Sequence, residues 1–94
     1  MNIGYSIRTY RKEKGLKQKD LALECNITQA YLSQIEKGIK IPSPTTLNDI
    51  ATALNIPLPV LLFKALDESD IKAEKKHVFE TLKPGINAML DQLF

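Results

Sequence analysis

Apolar residues recur at helical spacing along most of the chain, and nowhere do they alternate strictly with polar ones as a half-buried strand would require. Ile3, Ile7 and Tyr10 mark one face of a first helix over about 2–14, with Asn2 placed to cap its start and Gly15 to end it. Leu21, Ala22 and Cys25 repeat the pattern over 18–25, and Asn26, which tolerates a positive φ, follows at once. Thr28 caps a third run, over about 29–37, in which Tyr31, Leu32 and Ile35 point inward and after which Gly38 breaks the helix. Ser43 followed by Pro44 reads as an N-cap with proline in the first helical position, and Leu47, Ile50, Ala51 and Leu54 give that fourth helix a strong apolar face up to Asn55. From Ile56 to Leu66 the chain is at its most apolar, and Pro57 and Pro59 fix the entrance to a fifth, largely buried helix.

The remaining segment changes character. Asp67-Glu68-Ser69-Asp70 suits a turn and a new N-cap; Ile71, Val78, Phe79 and Leu82 then form a helical stripe, which Pro84-Gly85 interrupts and Ile86, Met89, Leu90, Leu93 and Phe94 resume. Two further short helices are predicted there. The expected fold class is all-α: a compact five-helix domain over residues 1–66, followed by a helical extension over 67–94.

Ninety-four residues allow one domain with a modest core plus an appendage. The net charge of +2 hides an asymmetry: residues 1–40 carry eight basic and four acidic side chains, whereas residues 67–94 carry four basic and six acidic. An anionic partner would meet the front half. Cys25 and His77 each stand alone, so neither a disulfide framework nor a metal site is expected, and no cofactor is called for. The first ten residues lack a long apolar run and no stretch approaches the roughly 20 residues that span a membrane, so a cytoplasmic protein with no membrane partner is expected. No nucleophile, base and orienting group are grouped, and there is no glycine-rich phosphate loop, so an enzyme is not expected.

The segment 18–36 is the most informative. Two short helices separated by Asn26-Ile27-Thr28 must cross steeply, which calls for a small residue where they touch and a residue tolerant of positive φ in the turn; Ala22 and Asn26 stand there. With Leu21, Ile27, Leu32 and Ile35 turned to the core, Gln29, Ala30, Ser33 and Gln34 are left on the opposite face of the third helix. That face is polar but uncharged. Amides and a hydroxyl beside a small apolar group suit the edges of bases better than they suit a face meant only for solubility.

These residues resemble the Xre-type, lambda-repressor-like (Cro-like) helix-turn-helix family of bacterial and phage regulators. The matching string runs Ile7-Arg8-x-x-Arg11-Lys12-x-Lys14-Gly15-Leu16-x-Gln18, then Leu21-Ala22, then Tyr31-Leu32-Ser33-Gln34-Ile35-Glu36-x-Gly38, and continues through Pro42-Ser43, Leu47, Ile50-Ala51-x-Ala53-Leu54 and Leu61. Asn26 stands where the family usually has glycine, and Lys17 where it usually has serine or threonine. The resemblance implies a regulator of transcription, a repressor in its commonest form, that reads half-sites of double-stranded DNA with the third helix in the major groove.

On that resemblance Gln18 contacts a phosphate and braces Gln29, and Gln29 pairs with adenine through its amide. Ala30 lies against a thymine methyl, while Ser33 and Gln34 complete the reading face. Thr28 and Ser43, at the starts of helices three and four, together with Lys17, Lys37 and Lys40, flank the backbone and supply affinity without sequence information. Arg11 and Glu36 correspond to the family's ion pair between helices one and three, a structural role. The segment 67–94 lies outside the family module. Val78, Phe79, Leu82, Ile86, Met89, Leu90 and Leu93 there have little core of their own, so the segment is expected to join two copies into a homodimer. The alternatives are that it folds back over helices one and five, or that it binds another protein, as in an antitoxin-type regulator or an interaction adaptor.

Overall fold

The computed structural model describes all 94 residues, as six α-helices and no strand. They are α1 (Ile3–Glu13), α2 (Gln18–Glu24), α3 (Gln29–Glu36), α4 (Pro44–Ala53), α5 (Leu58–Ala65) and α6 (Lys76–Leu93), with two single 3₁₀ turns, Glu68–Asp70 and Ala73–Lys75, between α5 and α6.

Four of these helices end in the same way. After α1, α2, α3 and α4 comes a residue at positive φ, namely Gly15 (70°), Asn26 (56°), Gly38 (78°) and Asn55 (58°), and then an apolar residue, Leu16, Ile27, Ile39 or Ile56. In each case the N–H of that apolar residue returns to a carbonyl five positions back: Leu16 to Arg11, Ile27 to Ala22, Ile39 to Gln34 and Ile56 to Ala51, at 2.9–3.1 Å. This Schellman geometry satisfies carbonyls that a bare helix end would leave open. Asparagine serves in two of the four because its short polar side chain visits the left-handed region at small cost. Starts are as well marked. The side chains of Asn2, Thr28 and Ser43 accept hydrogen bonds from the N–H groups of Tyr5, Tyr31 and Thr46, whereas Lys17 at the head of α2 provides no side-chain cap.

The core gathers one face of each of the first five helices. Ile7, Tyr10, Leu21, Leu32, Ile35, Ile50, Leu54 and Leu61 are almost wholly removed from water, each contributing on the order of 1.5–3 kcal/mol of transfer free energy. Within it α1 is the hub, packed against both α3 and α5. Its approach to each is close enough to involve backbone. Ser6 Oγ donates to the carbonyl of Leu61 on α5 at 2.7 Å, and a Cβ on Gly4 would stand 2.3 Å from the Ile35 carbonyl oxygen and 2.7 Å from that of Glu36.

The segment beyond Leu66 departs from the two short helices predicted for it. Ile71 lies in the bend between the two 3₁₀ turns, and α6 is one helix of 18 residues that runs straight through Pro84 and Gly85. Proline removes one helical donor and presses on the preceding turn, a cost of about 3 kcal/mol in a helix interior. Two things offset it here. Pro84 and Gly85 face solvent, so the carbonyl left without a donor can meet water, and contacts on both sides of the proline hold the helix to the body. Before it, Lys83 Nζ donates to the Leu66 carbonyl; after it, Leu90 packs on the core and Asp91 pairs with Lys64 of α5 at 2.6 Å. Thus α6 folds back along α1 and α5 through one face, yet none of its residues is buried. No single helix in the chain is long and apolar enough to cross a membrane.

The close approach of α1 to α3 yields a test. Gly4→Ala puts a methyl group into backbone oxygens that cannot swing aside, so it should cost at least about 1–3 kcal/mol and lower the melting temperature by at least about 5 °C, followed by circular dichroism. A wild-type melt would show that the two helices are not in backbone contact.

Candidate nucleic-acid interface

α2 and α3 are joined by Cys25–Thr28, four residues that contain the positive-φ Asn26 and the Thr28 cap. The stop and the start leave no slack, so the angle between the helices is fixed by local chemistry and then locked by Leu21, Ala22, Leu32 and Ile35 in the core. This leaves one face of α3 in water. Gln29, Ala30, Gln34 and Lys37 are exposed and Ser33 is half-buried.

Behind that face lies a buried ion pair. Arg11 on α1 and Glu36 on α3 are 9% and 8% exposed. The guanidinium grips the carboxylate with two parallel bonds, Nε to Oε2 at 2.8 Å and Nη2 to Oε1 at 2.9 Å, and its remaining nitrogen, Nη1, donates to the Leu16 carbonyl at 3.0 Å. All three nitrogens of the fork are therefore used, which is the condition under which a buried pair can offset its desolvation.

Gln18, at the first turn of α2, extends the network outward. Its Nε2 donates to Glu36 Oε1 at 3.3 Å, and its Oε1 accepts from Gln29 Nε2 at 3.5 Å, the long limit for such a bond. A continuous chain thus runs from α1 through the core to the first residue of α3. Arg8, Arg11, Gln18, Ser33, Glu36 and Lys37 together line a shallow polar depression of about 280 Å³ beside α3.

The other candidates divide by how engaged they are. Thr28 Oγ1 is occupied as the α3 cap, and Ser43 Oγ both accepts from the Thr46 N–H and donates to Thr46 Oγ1, so neither hydroxyl is idle. Lys17, Lys37 and Lys40 are exposed, Lys37 at the C-cap of α3 and Lys40 in the loop that follows. Arg8 was not singled out from the sequence beyond its place in the matching string, yet it shares the depression with Gln18, Ser33 and Lys37. The signal was its position, one residue past Ile7 and three before Arg11 on α1, which turns it toward the same side of the molecule. Ile39 and Ile41, 66% and 86% exposed, are a further departure, since two β-branched apolar side chains stand in water in the α3–α4 loop.

Two short helices crossing over a tight turn, held by a third and presenting an uncharged polar face, define a helix-turn-helix unit. The chain belongs to the helix-turn-helix family HTH_3, which matches residues 7–61. It is 44% identical over 59 residues to the ImmF control region 10 kDa protein of Bacillus phage phi105, covering 63% of this chain and 66% of that protein. It is 36% identical over 75 residues to the immunity repressor protein of the same phage, covering 80% and 50%. Among solved structures, the clp gene regulator ClgR from C. glutamicum superposes with a TM-score of 0.66 at 30% identity, over 68% of this chain and 83% of that one. A chain of the SinR protein/SinI protein complex superposes with a TM-score of 0.60 at 30% identity over 97% of this chain and 93% of its own. That last alignment takes in α6.

The buried pair generates a double-mutant test. Arg11→Ala or Glu36→Ala should each destabilise by about 3–5 kcal/mol, while the double variant should lose clearly less than the sum, because no orphaned charge remains. Additive losses in denaturant titrations would mean that the two side chains do not meet.

Proposed function

We propose that the protein is a DNA-binding transcriptional regulator acting in the cytoplasm, and that α3 reads base edges in the major groove. The observation that carries this reading is the outward face of α3. Its amides and hydroxyl can pair with bases, it bears no carboxylate in water to repel phosphates, and the only acid on the helix, Glu36, is neutralised by Arg11 within the core. Gln29 is the central reading residue, with Ala30, Ser33 and Gln34 beside it. Arg8, Lys17, Lys37 and Lys40 supply phosphate contacts. In this account Thr28 and Ser43 act chiefly as helix caps whose backbone borders the DNA, and Gln18 acts mainly by orienting Gln29. The names of the phage phi105 immunity repressor and of SinR of Bacillus licheniformis, an HTH-type transcriptional regulator 32% identical over 81 residues, support a regulator, and repression is the mode we favour.

Residues 1–66 form the reading domain in this proposal and 67–94 the element that joins two copies. A single such unit spans few base pairs, so two half-sites about 34 Å apart call for a two-fold partner. α6 offers the means. Phe79, Ile86 and Leu90 are half-buried toward the body, whereas Val78, Leu82, Met89 and Leu93 are 51–66% exposed and fall on one stripe of the helix. A second copy of α6 would cover that stripe. The SinR protein/SinI protein complex makes a different protein the alternative occupant.

Two measurements test these assignments. Selection from random DNA followed by binding titrations should show Gln29→Ala weakening the preferred site by about 1–3 kcal/mol and flattening preference at one base pair, while Lys40→Ala weakens all sequences alike and lowers the salt slope by about one unit. A selected sequence unaltered by Gln29→Ala would remove α3 from its role as reader. In light scattering the full chain should be a dimer, and Leu82→Lys with Met89→Lys should make it a monomer that retains its helix content; a wild-type monomer would shift the stripe to a different partner chain.

A further inference from the structure

The outward face of α6 is laid out in a way that a single chain does not explain. Val78, Leu82, Met89 and Leu93 stand exposed along it, and Thr81, Gly85, Ala88 and Gln92, exposed as well, lie beside them at helical spacing. That face therefore carries no charge along its whole length. The charged residues of the helix, Lys76, Glu80, Lys83 and Asp91, form a stripe of their own nearly opposite. A helix of 18 residues lying on the surface of its domain ordinarily sets charged side chains toward water, and α6 does not.

The face is also symmetric end to end. Leu82 and Met89 are equidistant from the point midway between Gly85 and Ile86, and so are Val78 and Leu93. Turning the helix end for end about that point lays each of the four apolar side chains onto another of the four. Charge follows the same sense. With His77 neutral, the half of α6 before Gly85 holds two basic side chains, Lys76 and Lys83, and one acidic, Glu80, whereas the half after it holds Asp91 alone. Two antiparallel copies bring these opposite halves together and oppose their helix dipoles; parallel copies would stack like on like. Gly85 stands at the centre of the layout. A Cβ there would meet nothing within 4 Å, and the positive-φ glycines of the chain are Gly15 and Gly38, not this one. Neither packing nor backbone conformation within one chain calls for glycine, the residue that weakens a helix interior most after proline. What glycine does supply is room for a second backbone, as Gly4 does where α1 meets α3.

Resting on the reading of α6 as the element that joins two copies, we propose that the two α6 helices pack antiparallel, with the two-fold axis passing beside Gly85 and the backbones closest there. Leu82 of one copy covers Met89 of the other, Val78 covers Leu93, and Gly85 sets the distance between the two chains.

The test uses single cysteines in the full chain, with Cys25→Ala removing the native thiol. Leu82→Cys and Met89→Cys should each form no intermolecular disulfide alone, because equivalent residues then lie about 10 Å apart along the helix axis, whereas a disulfide needs Cα atoms within about 7 Å. An equal mixture of the two variants, after subunit exchange, should form the crossed disulfide under mild oxidation. In sedimentation equilibrium Gly85→Leu should raise the dimer dissociation constant at least about tenfold. Its helix content by circular dichroism should be unchanged or higher, since the space around Gly85 is open within one chain and leucine favours helix. Disulfides from either variant alone, no crossed disulfide in a dimeric mixture, or a dimer indifferent to Gly85→Leu would overturn the antiparallel pairing while leaving the dimer in place. A wild-type chain that sediments as a monomer would overturn the dimer and the pairing together.

Discussion

The arrangement depends on a carboxylate and a guanidinium held out of water between α1 and α3. Bringing Arg11 and Glu36 into the core is costly, and only a geometry that satisfies every branch of the guanidinium makes it tolerable. That requirement sets several distances at once. α1 must run beside α3 closely enough for two parallel bonds, which is where Gly4 meets the α3 carbonyls, and the end of α1 must turn so that the Leu16 carbonyl reaches Nη1. Apolar packing alone would tolerate small slides of one helix on another; a bidentate pair does not.

The pair also links stability to the outer face. Glu36 Oε1 accepts from Gln18 as well as from Arg11, and Gln18 in turn accepts from Gln29. A side chain at the surface of α3 is thereby linked, through Gln18, to the buried ion pair. Part of the rotamer freedom of Gln29 is already given up before any partner arrives, which lowers the entropy lost on binding.

Much of this was legible in the sequence because it is written locally. Asn2, Thr28 and Ser43 announce helix starts, and Gly15, Asn26 and Gly38 announce stops, each through the conformational preferences of one residue. The regular apolar partner after each stop, Leu16, Ile27, Ile39 and Ile56, was equally visible, though its meaning emerged only from the returning hydrogen bonds. Pro84 misled for the same reason: the local rule says break, and contacts at Lys83, Leu90 and Asp91, distant in sequence from what they touch, say continue. The Gln18 to Glu36 bond was likewise beyond a linear reading, since it depends on how α2 and α3 meet in space, whereas Arg8 was signalled only by its helical spacing from Arg11. The tail stripe at Val78, Leu82, Met89 and Leu93 was readable as a stripe, but its division into a face toward the body and a face toward water required the docked helix.

The four matched helix stops have a consequence for how this chain can change in length. Between α1 and α2, α2 and α3, and α4 and α5, the positive-φ residue and the following cap or proline consume nearly the whole connection, so one inserted residue would displace a Schellman bond or a cap. The stretch from Ile39 to Pro42 is different. Its first two residues, Ile39 and Lys40, close the α3 stop through their N–H groups, after which Ile41 and Pro42 intervene before the Ser43 cap, and three of the four residues face solvent. Insertions and deletions in the first 60 residues are thus channelled to a single loop, and that loop borders the face of α3, so lengthening it would reshape the flank of that face while every core contact stayed where it is.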